Sequence, residues 1–224
     1  MTRVAIIGAH GKVAQQLMRV LYDLGDDFVG VVRNDEHAED VYRLGGEGVL
    51  LDLEKSEADA LAAAIDGCDA VVFTAGAGAG SGIERKRTVD YGGSVKAQEA
   101  AKQAGIRRFV QVSAWGVDAP VDDADPVWKA YVEAKRDADA VLRDSGLEWT
   151  ILRPGGLTTD EGTGRIQLGD SVPAAASPAR TSPASSRSFC TSPRPSGTSG
   201  RSSPATPRSR MRCGRRPRPR RLCA

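Results

Sequence analysis

Two side chains stand out for what they could do together. Tyr131 and Lys135, in the run YVEAK (131–135), fall one turn apart on any helix that contains them. A phenol that carries a proton, with a cation close enough to bias its ionisation, makes a proton-transfer pair. The same spacing suits a tyrosine packed in a core beside a lysine that snorkels to water, and the pair alone does not separate these readings. A second stretch has the chemistry to hold an anion. In VAIIGAHGKVAQQL (4–17) a strand pattern runs into Gly8 and Gly11, with Ala14 at the third small position, and then into a helix pattern. Gly8 permits a sharp turn, Gly11 lets the backbone approach a diphosphate, and Ala14 lets the helix lie close to a sheet. The N–H groups and dipole of the helix start favour a phosphate dianion. A glycine turn with no ligand is the bland alternative, and the strand–loop–helix context opposes it.

The next strand pattern ends in VVRND (31–35). A carboxylate at this place binds a ribose 2′-hydroxyl, whereas an arginine accommodates a 2′-phosphate. Arg33 at the strand end, with Lys12 in the glycine loop, points to NADP, and Asp35 keeps NAD open. His10 is expected to contribute backbone geometry rather than imidazole chemistry. His10 and His37 stand isolated in the sequence, and no Cys/His spacing fits a metal site.

These groups need elements to hold them. Short apolar runs rich in β-branched residues, at 3–7, 28–32, 48–51, 70–74, 108–113 and 149–153, read as strands covered on both faces. Helical patterns at 12–24, 35–44, 56–66, 83–104 and 126–144 alternate with them. The expected fold is therefore α/β, a doubly wound parallel sheet of Rossmann type. The helix carrying YVEAK has its own start and stop chemistry: Asp125 caps it, Pro126 suits its first position and Gly146 follows its last turn. Its periodicity predicts an inward stripe of Val127, Tyr131, Ala134, Ala138 and Val141, with Lys135 at the margin.

Composition divides the chain of 224 residues in two. Residues 1–170 carry 19 basic and 29 acidic side chains, whereas residues 171–224 hold 12 Arg, 12 Ser and 9 Pro with no Lys, Asp or Glu. An acidic body argues against nucleic-acid binding except through the basic tail. No apolar run reaches the ~18 residues of a membrane span. The body has only Cys68 and the N-terminus lacks a signal-peptide core, so a reducing cytoplasm is expected. The tail has no apolar periodicity with which to order itself. Its arginine-only basicity suggests a frameshifted reading of a GC-rich gene, the alternative being a genuine disordered arm for nucleic acid or acidic surfaces.

The body resembles the atypical branch of the short-chain dehydrogenase/reductase superfamily, which includes small proteins similar to sugar-nucleotide epimerases. GAHGKVA (8–14), VVRN (31–34), LLDLE (50–54), DAVVFTAGAG (69–78), VQVSAWG (110–116), YVEAK (131–135) and LEWTILRPGGLT (147–158) carry the resemblance, in order, across nearly all of 1–168. The resemblance implies cofactor contacts at Gly8, His10, Gly11, Lys12, Val13, Arg33, Asp52, Leu53, Ala75, Gly76 and Lys135, with Asp52 near the adenine. It implies that Ser113 faces the nicotinamide and holds a substrate oxygen, that Tyr131 passes a proton, and that Lys135 donates to the nicotinamide ribose while favouring the phenolate, since free tyrosine ionises near pH 10. The substrate implied is a small carbonyl or sugar-like molecule. Non-catalytic redox sensors occur in the same branch, and that reading stays open. Trp115 and Trp128 either line the substrate pocket or pack the sheet and helix start. Family members continue past RPGGLT (153–158) into a helix and further strand that complete the substrate side, and the tail departs from that pattern.

Overall fold

A computed structural model describes residues 1–121, 124–158, 168–169 and 177–178. Six strands, β1 (Arg3–Ile7), β2 (Asp27–Val32), β3 (Glu47–Leu50), β4 (Ala70–Phe73), β5 (Arg108–Val112) and β6 (Glu148–Leu152), form one sheet in the order β3-β2-β1-β4-β5-β6. Every neighbouring pair is parallel; β1 sits at the centre, with Val4 opposite Phe28 on one side and Ala70 on the other. The apolar runs of these strands are continuous because both faces are covered. Ala5, Ile7, Val71, Phe73 and Phe109 pack with Leu61, Ala97 and Leu142 on one face. Val4, Ile6, Val72 and Val110 pack with Leu17, Met18 and Val41 on the other. Helices α1 (Lys12–Leu24) and α2 (Asp35–Arg43) cover the second face, and α3 (Ala58–Ala64), α5 (Ser94–Gln103) and α6 (Pro126–Arg143) contribute to the first. This is the doubly wound arrangement expected from the sequence.

The stretch expected as one helix over 83–104 is not uniform. It opens with a short turn, α4 (Ile83–Arg85), widens into a π-helical segment over Lys86–Gly93, and then becomes α5. π turns are uncommon and are found mainly at functional sites. The widened turns here bury Lys86, Val89, Asp90 and Gly93, and that segment packs against α6.

Helix α6 starts as expected, with the Asp125 carboxylate accepting from the N–H groups of Val127 and Trp128 and Pro126 in the first turn. Its buried face differs from the expected stripe. Val127 and Val141 are exposed, whereas Lys135 and Asp139 are buried at 5% and 0% exposure. Apolar periodicity mislocates the face because part of this interior is polar: Asp139 accepts from Gln111 Nε2 at 2.7 Å and from Ser113 Oγ at 2.9 Å. It also accepts from Arg153 Nε and Nη2 at 3.0 and 2.9 Å. A fully buried carboxylate is tolerable when its oxygens are paired in this way.

Beyond β6, β7 (Leu157–Thr158) pairs in parallel with β8 (Ser177–Pro178). Apart from Ser177 and Pro178, the expected tail over 171–224 lies outside the described residues. Met1–Ser192 forms one compact unit, and the other, Pro193–Ala224, lies wholly outside them. Among the described residues no helix is long and apolar enough to cross a membrane.

Candidate functional site: a nucleotide cleft beside a tyrosine–lysine pair

The chain leaves β1 toward β2 on one side of the sheet centre, while β4 flanks β1 on the other. The crossovers that follow β1 and β4 therefore run to opposite sides of the sheet centre and leave a crevice at the carboxyl ends of the strands. A cavity of about 290 Å³ opens there. Gly8, His10, Gly11, Arg33, Asp52, Leu53, Ala75 and Gly76, all singled out from sequence, line it. Lys12 and Val13 form the first turn of α1 beside it, and Lys135 lies deeper, under the loop after β4.

The loop geometry fits a dinucleotide. Gly8 has φ +85°, and a side chain there would meet Ala75 Cα at 2.6 Å, so glycine is required for the two loops to touch. Gly11 is different: an added Cβ would meet only Gly8 O at 3.4 Å and Thr74 O at 4.0 Å, which leaves a cradle above the backbone. No side chain caps α1, so its first-turn N–H groups are available to an anion. Thr74 Oγ1 donates to the carbonyls of Ile7 and Gly8 at 3.0 and 3.2 Å and ties the two loops together.

Below the loop after β4 lies a cluster of buried charge. Asp90, on the π segment and 1% exposed, accepts from Ala77 N at 3.0 Å and pairs with Lys135 Nζ at 3.2 Å. Lys135 Nζ also reaches the carbonyls of Ala75 at 3.5 Å and Val112 at 3.4 Å. The half-buried ring of Tyr131 has Lys86 Nζ 5.4 Å and Lys135 Nζ 5.9 Å from its centre. Lys86 donates to Gly78 O at 2.8 Å. The structure thus brings Tyr131 and Lys135 together beneath the cleft.

It does not place Lys135 as a lone charge that favours the phenolate. Burial first, and the Asp90 carboxylate second, push the Tyr131 phenol up to about 12. An ammonium already paired with a carboxylate at 3.2 Å offers little net field to a third group. Ser113 follows β5, is 4% exposed, and its hydroxyl donates to Asp139. Trp115 and Trp128 are both substantially exposed, so neither packs the core; Trp128 stands 5.3 Å from the Tyr131 ring, centre to centre.

Several residues at the site had not been singled out from sequence. Asp90, Lys86 and Asp139 look like surface charges in a helical pattern, and only tertiary packing buries them. Glu54 and Arg85 line the cleft and pair with each other at 2.8 Å. Thr88 Oγ1 donates to Glu54 at 2.6 Å and, together with Arg85, holds that carboxyl below its ordinary value. Nor are the two histidines isolated in space. Their rings stack with centres 3.4 Å apart, and His10 Nδ1 lies 3.3 Å from Asp40 Oδ2. The His10 imidazole has these neighbours because parallel pairing of β1 with β2 sets the start of α2 beside the glycine loop.

A profile of the NAD(P)H-binding family matches residues 8–184. The "Uncharacterized sugar epimerase YhfK" of Bacillus subtilis is 41% identical over 165 residues, spanning 73% of this chain and 76% of that protein. The UPF0659 protein YMR090W of Saccharomyces cerevisiae is 40% identical over 175 residues, 74% of each. Among solved structures, the oxidoreductase ylbE of Lactococcus lactis aligns with a TM-score of 0.73 at 26% identity, covering 84% of both chains.

Proposed function

Because the chain belongs to the NAD(P)H-binding family, within the superfamily of Rossmann-fold epimerase/dehydratases and short-chain dehydrogenase/reductases, we propose that it is an NADP-dependent oxidoreductase acting on a small carbonyl or sugar-like substrate. The observation that carries this reading is the placement of Lys135. Its ammonium lies against the carbonyl of Ala75, a cleft-lining residue, and its helix presents Tyr131 one turn away. The diphosphate would rest on the Gly8–Gly11 loop and the start of α1, and Lys135 would meet the nicotinamide ribose.

The chemistry that a nicotinamide nucleotide would supply when bound is hydride for the carbonyl carbon. Tyr131 gives its proton to the carbonyl oxygen, so hydride and proton together complete the alcohol. A phenol held near 12 stays protonated at neutral pH, which suits a proton donor in the direction of reduction. Ser113 has its own proton committed to Asp139, leaving oxygen lone pairs to receive a hydrogen bond from the substrate or product hydroxyl.

A second reading, a nucleotide-binding redox sensor without turnover, draws on the same contacts. Lys135 is engaged by Asp90 and Ser113 by Asp139. NADPH oxidation with a panel of carbonyl compounds separates the two. For an enzyme, Tyr131→Phe lowers the rate by about 10²–10⁴ while NADPH affinity is kept. Equal background rates for both proteins, alongside retained NADPH binding, would establish the sensor instead.

A further inference from the structure

The stacked histidines lie at the end of the cleft where β2 stops. His10, from the loop after β1, and His37, from the first turn of α2, both line the cavity together with Arg33. Their ring planes are within 10° of parallel at 3.4 Å. On the reading that the cleft takes NAD(P), these are the groups that would meet the ribose 2′ position beside the end of β2. We propose that the His10–His37 pair, with Arg33, reads the 2′-phosphate of NADP and takes up a proton as it does so, making the choice between NADP and NAD depend on pH.

The groups around His37 favour its neutral form before the nucleotide arrives. His37 is held below its ordinary value by burial first, then by neighbouring His10 and by Arg33. Glu36 and Asp40, on α2, act in the opposite sense but do not outweigh them. Asp52, Glu54 and Arg85 line the same cavity. Two imidazoles in van der Waals contact resist carrying two protons beside a guanidinium. A dianion seated against them reverses that balance and favours the protonated form. The 2′-phosphate is a dianion above its second pKa of about 6, and NAD has no group at that position.

The sign follows from linkage. The complex with NADP holds more protons than the free components, so affinity for NADP falls as pH rises, by up to about tenfold per pH unit for one proton. Affinity for NAD lacks this dependence. The test is calorimetric titration of the full-length protein with NADP and with NAD between about pH 6.5 and 8.5, a range in which the phosphate is predominantly dianionic. We expect the ratio of NADP to NAD affinity to fall at least about fivefold across that range. NADP binding, but not NAD binding, should show proton uptake when buffers of different ionisation heat are compared. His37→Asn and His10→Asn should each flatten the dependence of that ratio on pH. A ratio independent of pH in the native protein, or one whose slope survives both substitutions, overturns the proposal and leaves the nucleotide site standing. Failure of both nucleotides to bind overturns the proposal together with the reading on which it rests.

Discussion

Tyr131 shows how one neighbour changes the chemistry of a side chain. A phenol near an ammonium is usually pulled toward ionisation. Here the ammonium of Lys135 is matched by Asp90, and burial disfavours the phenolate further. We predict that the ultraviolet titration of the protein contains a tyrosine step near pH 12, absent in Tyr131→Phe. Because the folded value lies above the unfolded 10, the associated stability is complete below pH 10 and is lost as pH rises toward 12. Asp90→Asn should move that step downward by removing the smaller of its two causes. The same substitution leaves Lys135 buried without a counter-charge, and a loss of about 3–5 kcal/mol is expected in denaturant unfolding. That Asp90 also receives the N–H of Ala77 means the cost is shared between the Tyr131–Lys135 pair and the cleft loop.

At the scale of elements, the two glycines of the first loop do different work. Gly8 is needed for its φ of +85° and for contact with Ala75, and Gly11 for the open space above it. Gly8→Ala should therefore lower stability by about 1–3 kcal/mol through strain at a positive φ, with the crowding against Ala75 adding to that. Gly11→Ala should change stability by no more than about 0.5 kcal/mol yet weaken NADPH binding, because its methyl enters the diphosphate cradle. Thermal unfolding and nucleotide titration of the two variants check this contrast. The π segment over Lys86–Gly93 gave no periodic signal, since a pattern read at helical spacing absorbs one wide turn without breaking. Its consequence is large: it brings Lys86 and Asp90 to α6, where a regular helix would distribute these charges differently.

For the whole molecule, the parallel sheet is the platform, and its stability rests on side chains that reach no solvent. Phe109, 0% exposed near the start of β5, packs within the first core layer. Phe109→Ala should cost about 3–5 kcal/mol, measured by urea unfolding. In acid the interactions at the cleft lip also matter. Hydrogen bonds from Thr88 and Arg85 hold Glu54 below the usual carboxyl value. The stability it contributes is present above that usual value and disappears as pH falls through the depressed one. The urea midpoint of the native protein should therefore fall more steeply between about pH 5 and 3 than that of Glu54→Gln.

The sequence by itself determined the sheet, its winding and the residues at Gly8 and Gly11 that line the cleft. Those rest on local signals: β-branched runs at 3–7 and 108–113, glycines at 8 and 11, the Asp125–Pro126 helix start. Each is decided within a few residues of chain, so each is legible without neighbours. Tertiary structure alone decided which charges are buried and whom they face. Lys135 meets Asp90 across 45 positions of sequence, Ser113 meets Asp139 across 26, and His10 stacks on His37 from a different crossover. The strength and direction of an electrostatic interaction depend on distance and on exclusion of water, and neither quantity exists until the helices have closed over the sheet.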